Sequence, residues 1–111
     1  MSKVFVPQMP SRFDTGIRAL VPTVNMDPAC AFGELVVMLP PEANRLNIAP
    51  LVDILKSKME HYGLTDYIVA VGDPSLLAAA CCIAARKCNG TVRMLKWDRN
   101  AVDYIAVEFK I

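Results

Sequence analysis

The sequence predicts a single small α/β domain with the architecture of a Rossmann-like sandwich. Its 111 residues are 54% hydrophobic and 21% charged, which is enough apolar material for one buried core. After residue 33, apolar runs of strand length alternate with segments whose apolar residues recur at helical spacing. Two successive strand–helix–strand units predict three parallel strands joined by two crossover helices, with an antiparallel hairpin after them.

Two short strands are predicted in the N-terminal segment, residues 1–33, which would cover or extend an edge of the core formed by residues 34–111. Residues 3–8 (KVFVPQ) predict the first strand, and Pro7 favours an edge position because proline donates no hydrogen bond to a sheet. Residues 17–24 (IRALVPTV) predict the second strand. The intervening MPSRFDTG is polar and turn-rich, so a hairpin between the two strands would need a long loop.

A helical turn and a buried strand are predicted next. Asp27 followed by Pro28 is typical of the start of a helix, and the turn DPACAF ends at Gly33. The segment Glu34–Leu39 (ELVVML) is apolar after its first residue, which is typical of a strand buried on both faces of a parallel sheet. Two prolines end this strand.

Two long helices are predicted with a strand between them. The first begins at Asn47 and ends at Gly63, and its apolar residues recur every three or four positions, at Ile48, Leu51, Val52, Leu55, Met59 and Tyr62. Residues 65–71 predict the strand, with YIVAV as its buried part. Residues 74–88 predict the second helix, which ends before Gly90.

The last part of the chain predicts a hairpin. Residues 91–97 and residues 104–109 alternate between the two faces of a sheet, as β-strands do. Residues 98–101 form the turn between them.

Candidate ligand-binding residues follow the predicted carboxyl ends of the parallel strands, where open sheets of this kind bind ligands. Three loops lie there, at residues 40–47, 72–75 and 98–100. They and the adjoining strand end supply the candidates Arg45, Gly72, Asp73, Ser75, Trp97, Asp98 and Arg99.

The segment Gly72-Asp73-Pro74-Ser75 has two interpretations. Free amides and the helix dipole at the start of the second helix would attract an anion such as phosphate. Alternatively, Asp73 caps the helix, with proline at its first position and glycine in the tight turn before it. The cap is favoured because the Asp73 carboxylate already fills the anion position, and because a dinucleotide fingerprint needs three glycines. A ligand site remains the alternative.

Trp97, Asp98 and Arg99 also have two interpretations. Asp and Arg are ordinary residues of an exposed turn between strands. The planar guanidinium of Arg99 would also suit a carboxylate or phosphate. Trp97 would then stack on a ring of the ligand, whereas in the first interpretation it belongs to the core.

No catalytic residue, metal site or cofactor is predicted. The single histidine, His61, falls at the exposed end of the first helix, without a local serine or cysteine partner. The four cysteines, Cys30, Cys81, Cys82 and Cys88, form no CxxC motif or Cys/His cluster. The adjacent pair in an apolar helix is typical of small buried hydrophobic residues. These features favour a protein that is not an enzyme and leave catalysis open as the alternative.

The run from Leu76 to Ala85 is apolar on every side of its helix, so every side needs a cover. Residues 1–33 could fold over it, or it could pair with a second copy of the chain. The second cover is favoured and predicts a homodimer, because exposed apolar patches usually mark interfaces. Its predicted interface residues are Leu76, Leu77, Ala80 and Ala84.

Charge and hydropathy restrict the partners and the compartment. The net charge is +1 and no basic block is present, so the sequence carries no nucleic-acid signature. The longest apolar run has ten residues, about half of the ~20 that span a bilayer, and the N-terminus lacks the apolar region of a secretory signal. We therefore expect a cytoplasmic protein with reduced cysteines.

The C-terminal two thirds of the chain resemble a group of small proteins encoded by tailed bacteriophages, especially marine ones. The resemblance lies in VGDP at residues 71–74, the alanine-rich helix with IAA, the following glycine, and LKWDR before a strand with tyrosine. It implies a phage protein that works in the cytoplasm of a host bacterium, and it implies no particular activity.

Two functions are compatible with these features. The first is a non-enzymatic accessory protein that binds a host or viral protein. The second is a binder, or processor, of a nucleotide or other phosphorylated small molecule at the carboxyl ends of the parallel strands. A virion component is disfavoured, because the sequence predicts a compact chain without extended arms or repeats.

Overall fold

The computed structural model describes residues 2–111 and confirms a mixed α/β fold. In chain order the strands are β1 (Lys3–Gln8), β2 (Ser11–Asp14), β3 (Ala19–Pro22), β4 (Glu34–Leu39), β5 (Tyr67–Val69), β6 (Thr91–Asp98) and β7 (Asp103–Lys110). The helices are α1 (Ile48–Lys58) and α2 (Pro74–Lys87), with a 3₁₀ helix at Asp27–Phe32. Neither α-helix has the length and hydropathy that would let it cross a bilayer, within the residues described.

The main sheet has five strands in the order β4-β1-β5-β6-β7. Strands β4, β1, β5 and β6 are mutually parallel and β7 is antiparallel to β6, so four strands are parallel where the sequence predicts three. The predicted edge position of β1 is wrong, because β1 lies between β4 and β5. Pro7 is tolerated there because β1 pairs with β5 only at Val4 and Phe5, before the proline.

Strand β4 occupies the edge in place of β1. The predicted burial of β4 on both faces is therefore wrong: Glu34 and Val37 are exposed, and only Met38 and Leu39 are fully buried. The physical reason is that β1 takes the internal position, which leaves β4 with one neighbouring strand among residues 2–111.

The direction of the crossovers determines which face each connection covers. Right-handed connections that advance the same way across a sheet lie on one face, and a connection that advances the opposite way lies on the other. From β4 through β5 to β6 the chain advances one way, and α1 and α2 pack side by side on the same face. From β1 to β4 it moves the other way, and the 3₁₀ helix covers the opposite face.

The apolar surface of α2 is covered by α1 and the sheet. One core contains Leu51 and Leu55 of α1 and Phe5 and Ile68 of the sheet, together with the buried α2 residues Leu76, Ala80, Ile83 and Ala84. The cover that the sequence assigns to residues 1–33 or to a second copy is thus supplied largely by α1.

The N-terminal hairpin differs from the predicted one. Strands β2 and β3 form a separate two-stranded antiparallel sheet, in which Phe13 lies opposite Leu20. The segment MPSRFDTG, predicted as a turn, contains β2. The C-terminal hairpin is confirmed, with β6 and β7 paired from Thr91–Lys110 to Asp98–Asp103.

Candidate functional site

The carboxyl ends of β1 and β5 mark the place where the sheet changes its direction of winding. The chain leaves β1 on the face of the 3₁₀ helix and leaves β5 on the face of α1 and α2. In open α/β sheets the crevice at such a point is the usual ligand position. A cavity of about 290 Å³ lies here, lined by residues that follow β1, β4 and β5.

Three of the candidate ligand-binding residues meet at this cavity: Arg45, Gly72 and Asp73. Gln8, which the sequence analysis missed, lines it as well. Its buried amide Nε2 donates a hydrogen bond to the Pro40 carbonyl at 2.9 Å and so ties the end of β1 to the end of β4. A polar residue at the end of an apolar strand would have signalled this position, had β1 been predicted as internal.

The start of α2 has the geometry of a capped helix. Oδ2 of Asp73 accepts hydrogen bonds from the backbone N–H groups of Ser75 at 3.0 Å and Leu76 at 3.3 Å. The amides that an anion would need are therefore already used, and such a cap stabilises a protein by about 1 kcal/mol. Gly72 precedes the cap with a φ of 90°, in the left-handed region. Ser75 is exposed and does not line the cavity.

The remaining candidates lie elsewhere. Trp97 lines a second cavity of about 300 Å³ on the face of the 3₁₀ helix, with Val24, Val71 and Tyr104. Its ring meets that of Tyr104 edge-on, with 5.1 Å between the centroids. Asp98 accepts a hydrogen bond from the Asn100 N–H at 3.0 Å inside the β6–β7 turn. The exposed Arg99 sits in the same turn and lines neither of these two cavities.

The predicted interface residues of α2 lie mostly inside the protomer. Leu76, Ala80 and Ala84 are fully buried, and Leu77 is half-buried against the same core. Three of the four predicted positions therefore have no exposed side chain that could contact a second copy.

Outside the cavity, the titratable groups that are buried or half-buried have structural roles. Burial raises the pKa of the Cys81 and Cys88 thiols, which keeps them protonated at neutral pH. Buried Asp66 accepts hydrogen bonds from the backbone N–H groups of Lys3 and Gly63, each at 2.8 Å. Residues 2–111 contain no cluster of three or more His, Cys, Asp or Glu side chains arranged to hold a metal ion.

A second surface feature is the hairpin of β2 and β3, residues 11–22, here called the arm. Phe13 and Leu20 face each other across it and are 58% and 39% exposed, and Ile17 at its tip is also exposed. In the part of the chain that the structure describes, neither strand packs extensively on the main sheet or on the helices.

The family model described as phage Pam3 gp32-like protein matches residues 2–111 of the chain. The match includes the arm and the whole α/β core, and it supports the phage origin that the sequence resemblance implies. No curated protein and no solved structure matches the chain.

Proposed function

The chain belongs to the phage Pam3 gp32-like protein family, and we propose that it is a small non-enzymatic accessory protein of a phage that acts by binding another protein. The partner is a protein of the host or of the phage, met in the host cytoplasm. The observation that carries this proposal is the apolar surface of the arm.

The arm needs a partner for a thermodynamic reason. An isolated two-stranded hairpin is at best marginally stable in water, and it becomes stable when one of its faces packs on another surface. Phe13 and Leu20 provide such a face and leave it exposed, and the turn adds the exposed Ile17. A net charge of +1 and apolar contact residues suit a protein surface better than a nucleic-acid backbone.

The test is a capture experiment with matched variants of the arm. Tagged wild-type protein, Phe13→Asp and Thr15→Asp are used as bait in a lysate of phage-infected bacteria, and retained proteins are quantified by mass spectrometry. We expect a protein that wild type and Thr15→Asp retain in equal amounts and that Phe13→Asp loses at least tenfold. Thr15→Asp places the same charge on the arm outside the Phe13–Leu20 pair, so it controls for charge alone.

The proposal fails if Phe13→Asp retains the same proteins as wild type. It also fails if wild type retains none above the untagged control.

A second candidate function, binding of a phosphorylated small molecule, is supported by the cavity at the carboxyl ends of β1, β4 and β5. Arg45 provides an exposed cation on its wall, and guanidinium groups bind phosphate through paired hydrogen bonds. Because Asp73 uses the amides at the start of α2, Arg45 would be the main contact for the anion.

Thermal shift measurements with inorganic phosphate and a panel of nucleotides test this second function. Wild type would be stabilised by one of these ligands, Arg45→Ala would lose the stabilisation, and Arg99→Ala would keep it because Arg99 lies outside the cavity. No shift with any ligand, or equal shifts in the two variants, would remove this candidate.

A further inference from the structure

Strand β7 presents an unpaired backbone edge. It lies at one end of the main sheet, with β6 as its neighbour among residues 2–111. The Ile111 N–H donates to the Gly90 carbonyl at 2.8 Å, and residues of an antiparallel pair alternate between facing their neighbour and facing away. The backbone groups of Val107 and its odd-numbered neighbours therefore form hydrogen bonds with β6. The backbone groups of the even-numbered residues point outward, at Tyr104, Ala106, Glu108 and Lys110.

Two further hydrogen bonds agree with this alternation. The Ala70 N–H donates to the Leu95 carbonyl at 2.9 Å, so Leu95 faces β5, and its neighbours Met94 and Lys96 face β7. The Tyr104 N–H donates to the side chain of Asp103 at 2.8 Å, as an outward group without a strand partner would. The outward edge thus carries donors and acceptors in the pattern that another antiparallel strand requires.

Strand β7 has exposed apolar side chains on the face of the sheet that carries α2. Ile105 and Phe109 share the face on which α2 packs, and they are 39% and 47% exposed. Sheet edges are usually protected by proline, bulges or charges; β7 contains no proline, and its charged residues, Asp103, Glu108 and Lys110, leave its centre, residues 105–107, uncharged. At the opposite edge, β4 exposes one large apolar side chain, Val37.

We propose that β7 pairs antiparallel with β7 of a second copy of this chain, about a two-fold axis at Val107. The two five-stranded sheets then become one continuous sheet. This contact is independent of the arm and of the partner protein proposed for it.

Symmetry and side-chain chemistry select this register. A two-fold axis perpendicular to the sheet keeps each face on its own side, so residues of one face meet residues of the same face. With Val107 opposite its own copy, Ile105 lies opposite the second copy's Phe109, and Glu108 lies opposite Ala106. Moving the two-fold axis from Val107 to Glu108 would put Glu108 opposite its own copy, and like charges directly opposite each other are unfavourable. Moving the axis to Ala106 instead would put Asp103 opposite Phe109 of the second copy.

Charge supports the same register. Lys110 falls opposite Tyr104 of the second copy, beside the Trp97–Tyr104 aromatic pair, and a cation next to aromatic rings is attracted by their π faces. Glu108 remains paired with Arg93 of its own chain at 3.4 Å. One strand pair buries less than the roughly 1,600 Å² of a standard interface, so we expect a dimer that dissociates on dilution.

Cysteine cross-linking tests the register directly. In a background with the exposed Cys30 and Cys82 replaced by serine, Val107→Cys places two thiols opposite each other at the two-fold axis, within reach of a disulfide. Ile105→Cys is the matched control, because its two copies are offset by about 13 Å along the strands. Under mild oxidation we expect at least tenfold more covalent dimer from Val107→Cys. Equal or greater cross-linking of Ile105→Cys would overturn the proposal.

The mass in solution provides the second readout. Light scattering on the wild type should approach twice the 12.2 kDa of the chain as concentration rises. Ala106→Pro removes an outward N–H without removing a bond to β6, so it should stay monomeric with an unchanged circular dichroism spectrum. A wild type that is monomeric at its highest soluble concentration, or an Ala106→Pro variant that dimerises equally, would overturn the proposal. Phe13→Asp should dimerise normally, which separates this contact from the proposed partner site.

Discussion

Leu55→Ala lowers the free energy of unfolding by about 3 kcal/mol, the typical cost of removing a buried leucine side chain. Leu55 is fully buried in the core that joins α1, α2 and the sheet. Its removal leaves a cavity where the two helices share one face, and close-packed surroundings fill such cavities only in part. Urea denaturation followed by circular dichroism measures the change.

Leu46→Ala is the matched control for this experiment. It is the same substitution at a residue that is 97% exposed, so we expect a change within about 0.5 kcal/mol. Similar losses in the two variants would contradict the packing of α1 against α2, because that packing is what buries Leu55.

Gly72→Ala lowers the free energy of unfolding by about 2 kcal/mol or more. Gly72 has a φ of 90°, and a residue with a Cβ atom in the left-handed region costs roughly 1–2 kcal/mol. The new Cβ would also lie 2.9 Å from the backbone oxygen of Gln8. Because Gln8 belongs to the internal strand β1 and is hydrogen-bonded to the end of β4, this oxygen cannot move away without disturbing the sheet.

Gly63→Ala provides the comparison for Gly72→Ala. A Cβ at Gly63 would have no atom within 4 Å, and the hydrogen bond that the Gly63 backbone N–H donates to the Asp66 carboxylate would be kept in alanine. We expect a change near zero or a small gain, since alanine restricts the unfolded chain. If chemical denaturation gives equal losses for the two variants, the close approach of Gly72 to β1 is not a source of strain.

The features that the sequence predicts correctly are coded by a few neighbouring residues. Asp73 followed by proline starts α2, and its carboxylate makes the cap that the pattern indicates. The turn DPACAF before Gly33 is helical, and the alternation of residues 91–109 gives the terminal hairpin. Each of these signals depends on local hydrogen bonding and on side-chain alternation, so it can be read without knowing the rest of the fold.

Only part of the candidate site was predictable from the sequence, because the site depends on which strands are neighbours in the sheet. Arg45, Gly72 and Asp73 follow the ends of strands that are parallel and close together, so their meeting at one cavity follows from the topology. Gln8 is not among the predicted residues because the sequence pattern places β1 at an edge of the sheet, whereas β1 is internal. Arg99 lies outside the cavity because its turn belongs to β6 and β7, on the far side of β5 from β1.

The sequence by itself determined the α/β class, the two long helices with their starts, and the C-terminal hairpin, because periodicity and capping act over a few residues. Only the tertiary structure decided that β1 is internal, that β4 and β7 form the edges, and that α1 covers α2. These outcomes depend on which strands pair across long separations in sequence. The common handedness of the crossovers then places both helices on one face and leaves β7 partly uncovered, which no local pattern encodes.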